Sequence, residues 1–209
     1  MTGLLSVSLS ALGYTVLATD IEPTLTEILA PNVRQWMHGE SSGGAGRIST
    51  CFLDWNLGPD WRSIEAAFSG GTDRFQGEVP TSNHVNESHG AVSGAPLRTT
   101  LDTGSDEALP IDLIVSADTV YAVELVSPLL VTISVLSARS PKPPVIYIAL
   151  ERRDPCLINT FFQLAREMGF KSVQVDASRL RKIVEGMQWS EEDWEAVEVW
   201  KLSNASLKK

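Results

Sequence analysis

Acidic and aromatic residues follow three short apolar runs, at points where the strands of a sheet are expected to end. The carboxyl ends of parallel strands lie at one edge of a sheet, and ligands bind there in open α/β folds. Carboxylates at that edge can accept hydrogen bonds from a ribose diol or an adenine amino group, and an indole can cover an adenine ring. The residues concerned are Asp20, Asp54 with Trp55, and Ala117 with Asp118.

The first two of these positions each have a second interpretation. Asp20 could accept both hydroxyls of a ribose, or it could be a charge near the helix that begins at Thr24. We favour the ribose role, although it does not distinguish one nucleoside cofactor from another. Asp54 and Trp55 could bind adenine, but Trp55 could equally well be a strand-end residue that seals the core.

Asp118 and Tyr121 form an Ala-Asp-x-x-Tyr turn directly after a very apolar run. A carboxylate in such a place needs a partner or a ligand, because an unpaired buried charge is costly. We therefore expect Asp118 to take part in a site. The alternatives are that Asp118 caps the helix that follows and that Tyr121 is a packing aromatic.

The charged segment 151–155 follows another apolar run, and such clusters are mostly solvated or paired locally. Glu151 is its member nearest the strand and the one most suited to face a site. The two cysteines, Cys51 and Cys156, lack metal-type spacing, and we expect two buried free thiols.

Metal binding and covalent hydrolysis find no support in the residue pattern. A zinc site needs more ligands and a more rigid frame than the histidines offer, so we expect no metal. No Ser-His-Asp or Cys-His set falls at the strand ends. The histidines are His38, His84 and His89, and the last two lie with Glu87 in a polar segment.

Helical and strand-like segments alternate, which predicts an α/β fold with a doubly wound, mostly parallel sheet. The run 111–117 is almost continuously apolar and suits a central strand covered on both faces. The other predicted strands are 14–19, 47–53, 145–150, 170–175 and 197–202, the last with a helix as its alternative.

Four helices are predicted between these strands. The first contains Leu5, Leu9 and Leu12 and ends at Gly13; the second opens with a capping box at Thr24 and Glu27 and should be kinked or delayed by Pro31. The third should begin at Ser127 and Pro128, and the fourth at Asp154 and Pro155.

We expect one domain over residues 1–209, with a flexible insertion over residues 69–109, which are rich in Gly, Ser, Thr, Asn and Asp. A doubly wound nucleotide site normally begins with a strand and a glycine-rich turn. Here only Thr2 and Gly3 could belong to that turn, so we expect the sheet to lack its first strand.

Composition narrows the classes of partner. The net charge of −9 argues against nucleic acid, because binding phosphates needs a concentrated basic face. No apolar run reaches the roughly 20 residues needed to cross a bilayer, and no signal peptide is evident. We expect a cytoplasmic protein, with the nucleus as a further location, and no membrane partner.

Taken together, these segments resemble the methyltransferase-like protein-lysine methyltransferase family, whose members are Rossmann-like, seven-β-strand enzymes that use S-adenosylmethionine. Residues 2–7 resemble the tail of its glycine-rich motif, and residues 112–121 resemble its Asp-x-x-Tyr strand. The other similar segments are residues 18–23 with Asn32 and Val33, Leu53-Asp-Trp55, residues 151–153, and Phe161-Phe162 followed by Gly169-Phe170.

The resemblance implies an S-adenosylmethionine site and a lysine channel. It places the cofactor at Gly3, Asp20, Asp54, Trp55 and Ala117, and it places Asp118 and Tyr121 beside the lysine as the catalytic pair. The substrate would be a lysine-bearing protein, such as a translation factor or a chaperone. The chain departs from the family at its opening, which lacks the first glycines, and at Asn56, where glycine is usual.

Two other functions remain open on the sequence. The first is a non-catalytic Rossmann-like interaction module, or a truncated and inactive methyltransferase, since loss of the glycine turn removes backbone donors to the cofactor. The second, ranked last, is an NAD-dependent oxidoreductase, which Asp20 fits and the Ala-Asp-x-x-Tyr turn does not.

Overall fold

Strands and helices alternate along the chain, as the sequence predicts. The computed structural model describes residues 3–39, 46–69, 108–187, 190, 192 and 194–204. In chain order the elements are α1 (Leu4–Ala11), β1 (Val16–Asp20), a π-helical turn (Leu25–Leu29) that continues into α2 (Ala30–Gly39), β2 (Ile48–Phe52), α3 (Trp61–Phe68), β3 (Leu113–Ala117), α4 (Val123–Arg139), β4 (Val145–Glu151), α5 (Pro155–Glu167), β5 (Phe170–Gln174), α6 (Ala177–Glu185) and β6 (Val197–Asn204).

The strands form two small sheets, which corrects the expectation of a mostly parallel sheet. One sheet has two parallel strands in the order β1-β2, and the other has four strands in the order β3-β4-β6-β5. In the larger sheet β3 pairs with β4 in parallel, whereas β6 lies antiparallel between β4 and β5. The α/β alternation is confirmed, but an antiparallel strand cannot be inferred from apolar periodicity, which is the same for both directions.

The predicted strand over residues 197–202 is confirmed, and an ion pair fixes its start. The guanidinium of Arg152, just after β4, donates to both carboxylate oxygens of Glu198 at 2.8 and 2.9 Å. The indole of Trp200 donates to the same carboxylate. The hydrogen bond from Arg152 lowers the pKa of Glu198. In the register of β6 with β4, Glu198 lies opposite Leu150.

The main core lies between the larger sheet and helices α4 and α5. The apolar stripe predicted for α5 is confirmed at its buried members Ile158, Phe161 and Ala165. Asp154 caps that helix by accepting from the backbone N–H groups of Cys156 and Leu157 at 2.9 and 3.1 Å. Residues with no exposed surface in this core include Leu130, Ile148, Phe161 and Leu202.

A smaller core joins the two sheets through α3 and α4. Cys51 on β2, Ile64 on α3 and Leu109 before β3 are all buried together, with Leu136 of α4 packed against them. Arg139 at the end of α4 pairs with Glu65 of α3 at 2.6 Å. This contact sets the position of β1 and β2 relative to β3 and β4.

Two helices begin differently from the prediction. The capping box at Thr24 is wrong, because Thr24 makes no side-chain cap; instead Glu22 accepts from the Thr26 hydroxyl at 2.6 Å. The π-helical turn lies just before Pro31. The backbone hydrogen bonds therefore change from π-helical to α-helical spacing next to a proline, which has no N–H group to donate. In addition, α4 starts at Val123 rather than at Ser127, and Pro128 lies inside it.

Two helices were not predicted. Asp60 caps α3 by accepting from the N–H of Arg62, and Asp176 caps α6 by accepting from the N–H of Ser178. Both helices are short and lie next to glycine-rich or charged sequence, which hides their apolar spacing. The predicted insertion falls mostly on residues 70–107, which lie outside the described residues, while Leu109 at its end is buried.

Substitution of Ile148 by alanine should lower the free energy of unfolding by about 2–5 kcal/mol, because the side chain lies in the middle of β4 with 0% exposure. Urea unfolding followed by circular dichroism measures the change. The matched control is Val173→Ala on β5, where the side chain is 65% exposed, and the expected change is within about 0.5 kcal/mol. Equal losses in the two variants would contradict this assignment of the core.

The two cysteines should differ in reactivity, which corrects the expectation of two buried thiols. Cys156 is exposed, whereas Cys51 is buried. Burial raises the pKa of Cys51 to about 11, and the nearby Asp60 carboxylate adds to the shift. Titration of the native protein with a thiol reagent at pH 8 should therefore modify Cys156 within minutes and Cys51 only after unfolding. Rapid modification of Cys51 would contradict the packing of β2 against α3.

Candidate functional site

The strand ends that the sequence singles out lie around one cavity. Its volume is about 690 Å³, within the range of small-molecule sites. β1 and β3 contribute one wall each, the segment after β2 contributes a third, and α1 and α4 cover the two faces. The cavity is lined by all seven residues named from the sequence: Gly3, Asp20, Asp54, Trp55, Ala117, Asp118 and Tyr121.

Asp20 is placed by the parallel pairing of β1 with β2, which ends at this residue. One oxygen of its carboxylate accepts from the N–H of Ile21 at 2.9 Å. The other oxygen makes no hydrogen bond with any described residue. The π-helical turn begins shortly afterwards, at Leu25, so the alternative role of Asp20 as a charge near a helix start is also compatible with the structure.

Asp54 and Trp55 belong to the turn that follows β2. One carboxylate oxygen of Asp54 accepts from the N–H of Asn56 at 2.8 Å and also from its side-chain amide at 3.2 Å. This contact gives the turn a fixed shape, with Gly58 at φ 78° where a side chain would be strained. Asn56, the departure from the usual glycine, thus has a structural role here.

Trp55 contacts both the core and the cavity. It is half-buried and packs against the main core, which fits the core interpretation, and the same residue lines the cavity. An indole held by the core on one side offers a rigid apolar wall on the other, which suits a planar ring.

Asp118 has an unusual backbone conformation, with φ 56° in the left-handed region. Its N–H continues the pairing of β3 with β4 by donating to the carbonyl of Ala149 at 3.0 Å. Asp118 is exposed and lines the cavity, and the exposed part of the lining around it is called the cavity mouth. Left-handed backbone at a non-glycine residue is uncommon but is tolerated by aspartate, and it turns the chain sharply away from the strand.

The structural alternatives for this turn do not hold. α4 has Ala122 as its cap residue, without a side-chain hydrogen bond, so Asp118 does not cap the helix. Tyr121 is 63% exposed and is therefore not a core aromatic. A hydrogen bond between the hydroxyls of Ser116 and Thr119 closes the turn between them.

Gly3 lies at the start of α1 with φ 102°. A Cβ at this position would come within 3.2 Å of the Leu29 side chain, so both the backbone angle and the packing favour glycine. The first backbone N–H groups of a helix have no partner within the helix, and Leu5 and Ser6 of this first turn line the cavity. The short opening segment therefore still presents donors to the site.

Glu151, the minor candidate from the charged cluster, pairs with Arg153 at 2.6 Å and does not line the cavity. This hydrogen bond raises the pKa of Arg153, and the nearby Asp118 carboxylate contributes to the shift.

Several cavity residues were missed by the sequence reasoning. Ile21 lines the cavity and is 45% exposed, although it is apolar. Ile21 follows Asp20 directly and could have been found from its place at the strand end. The apolar wall formed by Leu125, Leu129 and Ile133 of α4 became visible only once the helix was known to start at Val123.

Within the described ranges, no group of three potential metal ligands is present and no helix is long and apolar enough to span a bilayer. Residues His84, Glu87 and His89 lie outside those ranges, and nothing is described of the His38 side chain.

Comparison with known proteins identifies one part of the chain. No curated protein matches the sequence. The family model described as "Lysine methyltransferase" matches residues 82–168, a range that includes β3, α4, β4, α5 and the turn that carries Asp118 and Tyr121. Over residues 82–168, the resemblance to the lysine methyltransferase family is therefore confirmed.

Proposed function

We propose that this protein is an S-adenosylmethionine-dependent methyltransferase that methylates a lysine side chain of another protein. The observation that supports this most is the convergence of three strand ends on one cavity, at Asp20, at Asp54 with Trp55, and at Asp118. The strand and turn that carry Asp118 lie within the range that matches the lysine methyltransferase family.

The donor set suits an adenosine-containing cofactor. Asp20 keeps one carboxylate oxygen without a described partner, and Asp54 does so as well, since only one oxygen of each takes part in a described hydrogen bond. The carboxylate of Asp20 could accept hydrogen bonds from a ribose diol, and that of Asp54 could accept one from an adenine amino group. Trp55 supplies a flat wall, and the amides at the start of α1 suit a carboxylate.

When bound, S-adenosylmethionine supplies a methyl group already activated by the positive sulfur. A lysine amine that has lost its proton to water would accept this methyl group, and the cofactor would leave as S-adenosylhomocysteine. No residue has to act as the base. The protein's task is to position the amine and exclude water.

Asp118 and Tyr121 are the residues we assign to that task. The Asp118 carboxylate at the cavity mouth would attract the incoming lysine ammonium and orient its nitrogen. The exposed ring of Tyr121 would contact the same cation through its face.

Substitution of Asp20 by asparagine should weaken S-adenosylhomocysteine binding about 10- to 100-fold, the loss expected when hydrogen bonds to a charged acceptor are removed. Isothermal titration calorimetry measures the dissociation constant. Asp112→Asn is the matched control, because Asp112 precedes β3 at its amino end and does not line the cavity.

Failure of the unmodified chain to bind S-adenosylhomocysteine would contradict the proposal and would favour a non-catalytic interaction module. Binding of NAD in its place would favour an oxidoreductase. Equal affinities in the Asp20 and Asp112 variants would remove Asp20 from the cofactor site.

Substitution of Asp118 by asparagine should slow methyl transfer roughly 100-fold, as is typical when one oriented electrostatic contact is removed. Asparagine is chosen because it tolerates the φ of 56° at this position, whereas alanine would add backbone strain. The measurement is incorporation of labelled methyl from S-adenosylmethionine into the proteins of a cell extract, together with the dissociation constant of S-adenosylhomocysteine.

The cofactor affinity of this variant should stay close to that of the unmodified chain, because Asp118 lies at the mouth of the cavity and not beside the ribose position. Asp112→Asn again serves as the control and should retain full transfer. A variant at Asp118 with undiminished transfer would exclude this residue from the mechanism.

A further inference from the structure

We propose that Thr119 is a positioning residue, whose hydroxyl bond to Ser116 holds Asp118 in the backbone conformation that presents its carboxylate to the cavity. All three residues line that cavity. The proposal rests on the proposed function, because it gives Thr119 a part in orienting the carboxylate that would receive the lysine ammonium.

The backbone of Asp118 has to be held in place by its surroundings. Its φ of 56° makes it the one non-glycine residue in the left-handed region among the described residues. Aspartate tolerates this region but does not favour it. An aspartate in a free turn would mostly adopt other backbone angles, so contacts of the neighbouring residues must stabilise this one.

The two ends of the turn are fixed by the sheet and by the core. Ser116 belongs to β3 and lies opposite Ile148 of β4, and the N–H of Asp118 donates to the carbonyl of Ala149 at 3.0 Å. At the other end, Val120 is buried in the main core. The peptide group between Asp118 and Thr119 makes no hydrogen bond with any described residue, so these contacts leave its orientation open.

The hydroxyl pair of Ser116 and Thr119 spans this open part of the turn. Neither hydroxyl makes a second hydrogen bond within the described part of the chain. The hydroxyls of Ser137 and Thr160 instead donate to the carbonyl four residues earlier, at 2.7 and 2.9 Å, as is common in helices. The pair in the turn therefore ties Thr119 to a residue of β3 and limits rotation at Asp118.

Threonine is well suited to this task. Its branched side chain has few rotamers, so the position of its hydroxyl follows the backbone closely. A rotation of the Asp118 backbone would consequently carry the Thr119 hydroxyl away from Ser116. The hydrogen bond and the left-handed conformation thus stabilise each other, and a bond of this kind shifts such an equilibrium about fivefold.

The position of Thr119 separates its effect on the lysine from its effect on the cofactor. It lies between Asp118 and Tyr121, the two residues assigned to the lysine. Asp20 and Asp54, which are assigned to the cofactor, follow β1 and β2 of the other sheet. We therefore expect loss of the Thr119 hydroxyl to slow methyl transfer and to leave the affinity for S-adenosylhomocysteine unchanged.

The first test measures amide hydrogen exchange by NMR on the full chain without ligand. Thr119→Val replaces the hydroxyl by a methyl group and keeps the branched shape. The Asp118 amide should then exchange about fivefold faster, because the openings that break its bond to Ala149 become more frequent. Thr119→Ser keeps the hydroxyl and should restore slow exchange.

Thr160→Val is the matched control, because it removes a hydroxyl that makes one hydrogen bond on α5 and does not line the cavity. It should leave the exchange of the Asp118 amide unchanged. Faster exchange of this amide in both valine variants would show a general loosening of the chain and would overturn the proposal.

A double-mutant cycle tests whether the two hydroxyls act as a pair. Ser116→Ala alone should speed the exchange of the Asp118 amide as much as Thr119→Val does. The double variant should exchange no faster than either single variant, since one hydrogen bond is lost in all three. Effects that add would show that the hydroxyls act separately, which contradicts the proposal.

The functional test measures incorporation of labelled methyl from S-adenosylmethionine into the proteins of a cell extract. Thr119→Val should slow incorporation about two- to fivefold, because a smaller fraction of molecules would hold Asp118 in the competent conformation. The dissociation constant of S-adenosylhomocysteine should stay unchanged, and Thr119→Ser should restore incorporation. A variant that lost cofactor affinity to the same extent would have a purely structural defect.

The two measurements keep this proposal apart from the proposed function. Exchange is measured without ligand, so a chain that fails to bind S-adenosylhomocysteine would overturn the methyltransferase assignment whatever the exchange shows. Unchanged exchange of the Asp118 amide in Thr119→Val would overturn the positioning role. Slower transfer with unchanged exchange would also overturn it, because the hydroxyl would then act on the ligand directly.

Discussion

The two sheets share no backbone pairing among the described residues, so side-chain packing is what joins them there. That packing includes the small core of Cys51, Ile64 and Leu109, where β2 and α3 meet the chain before β3 and Leu136 of α4. Arg139 of α4 and Glu65 of α3 form an ion pair that links the same two helices. The cavity is lined by β1 from one of these sheets and by β3 from the other, so it depends on this packing.

The polar residues around the cavity mouth come together because β1 and β3, each in a parallel pair, end beside the same cavity. Because β1 and β3 both end there, residues far apart in the chain come together without any of them being buried deeply. In Asp20 and in Asp54, one carboxylate oxygen accepts from a local backbone N–H, and the other has no partner among the described residues. Arg153, which follows a third strand, pairs with Glu151 at 2.6 Å.

The sequence predicts the strands and the polar strand ends well, because apolar runs and the residues that stop them are local features. All six strands lie where expected, within a few residues. Long-range features could not be predicted: neither the antiparallel insertion of β6 nor the division into two sheets leaves a local trace. The start of α4 was misplaced because Ser127 and Pro128 resemble a helix start, although Val123 and Glu124 already form one.

The candidate site could be predicted as a set of residues, but their surroundings could not. The helix-cap role that competed for Asp118 was excluded only by the structure, since the same residue types serve both roles. The wall that α4 gives the cavity likewise depends on an element that is distant in the chain from β1 and from the turn after β2.

The backbone of Asp118 has a consequence for how this protein could be altered. Its φ of 56° is a conformation in which glycine meets no steric penalty. A laboratory search for heat-resistant variants would therefore tend to select glycine at this position. Such a screen, scored on thermal tolerance alone, would discard the carboxylate that the cavity mouth presents.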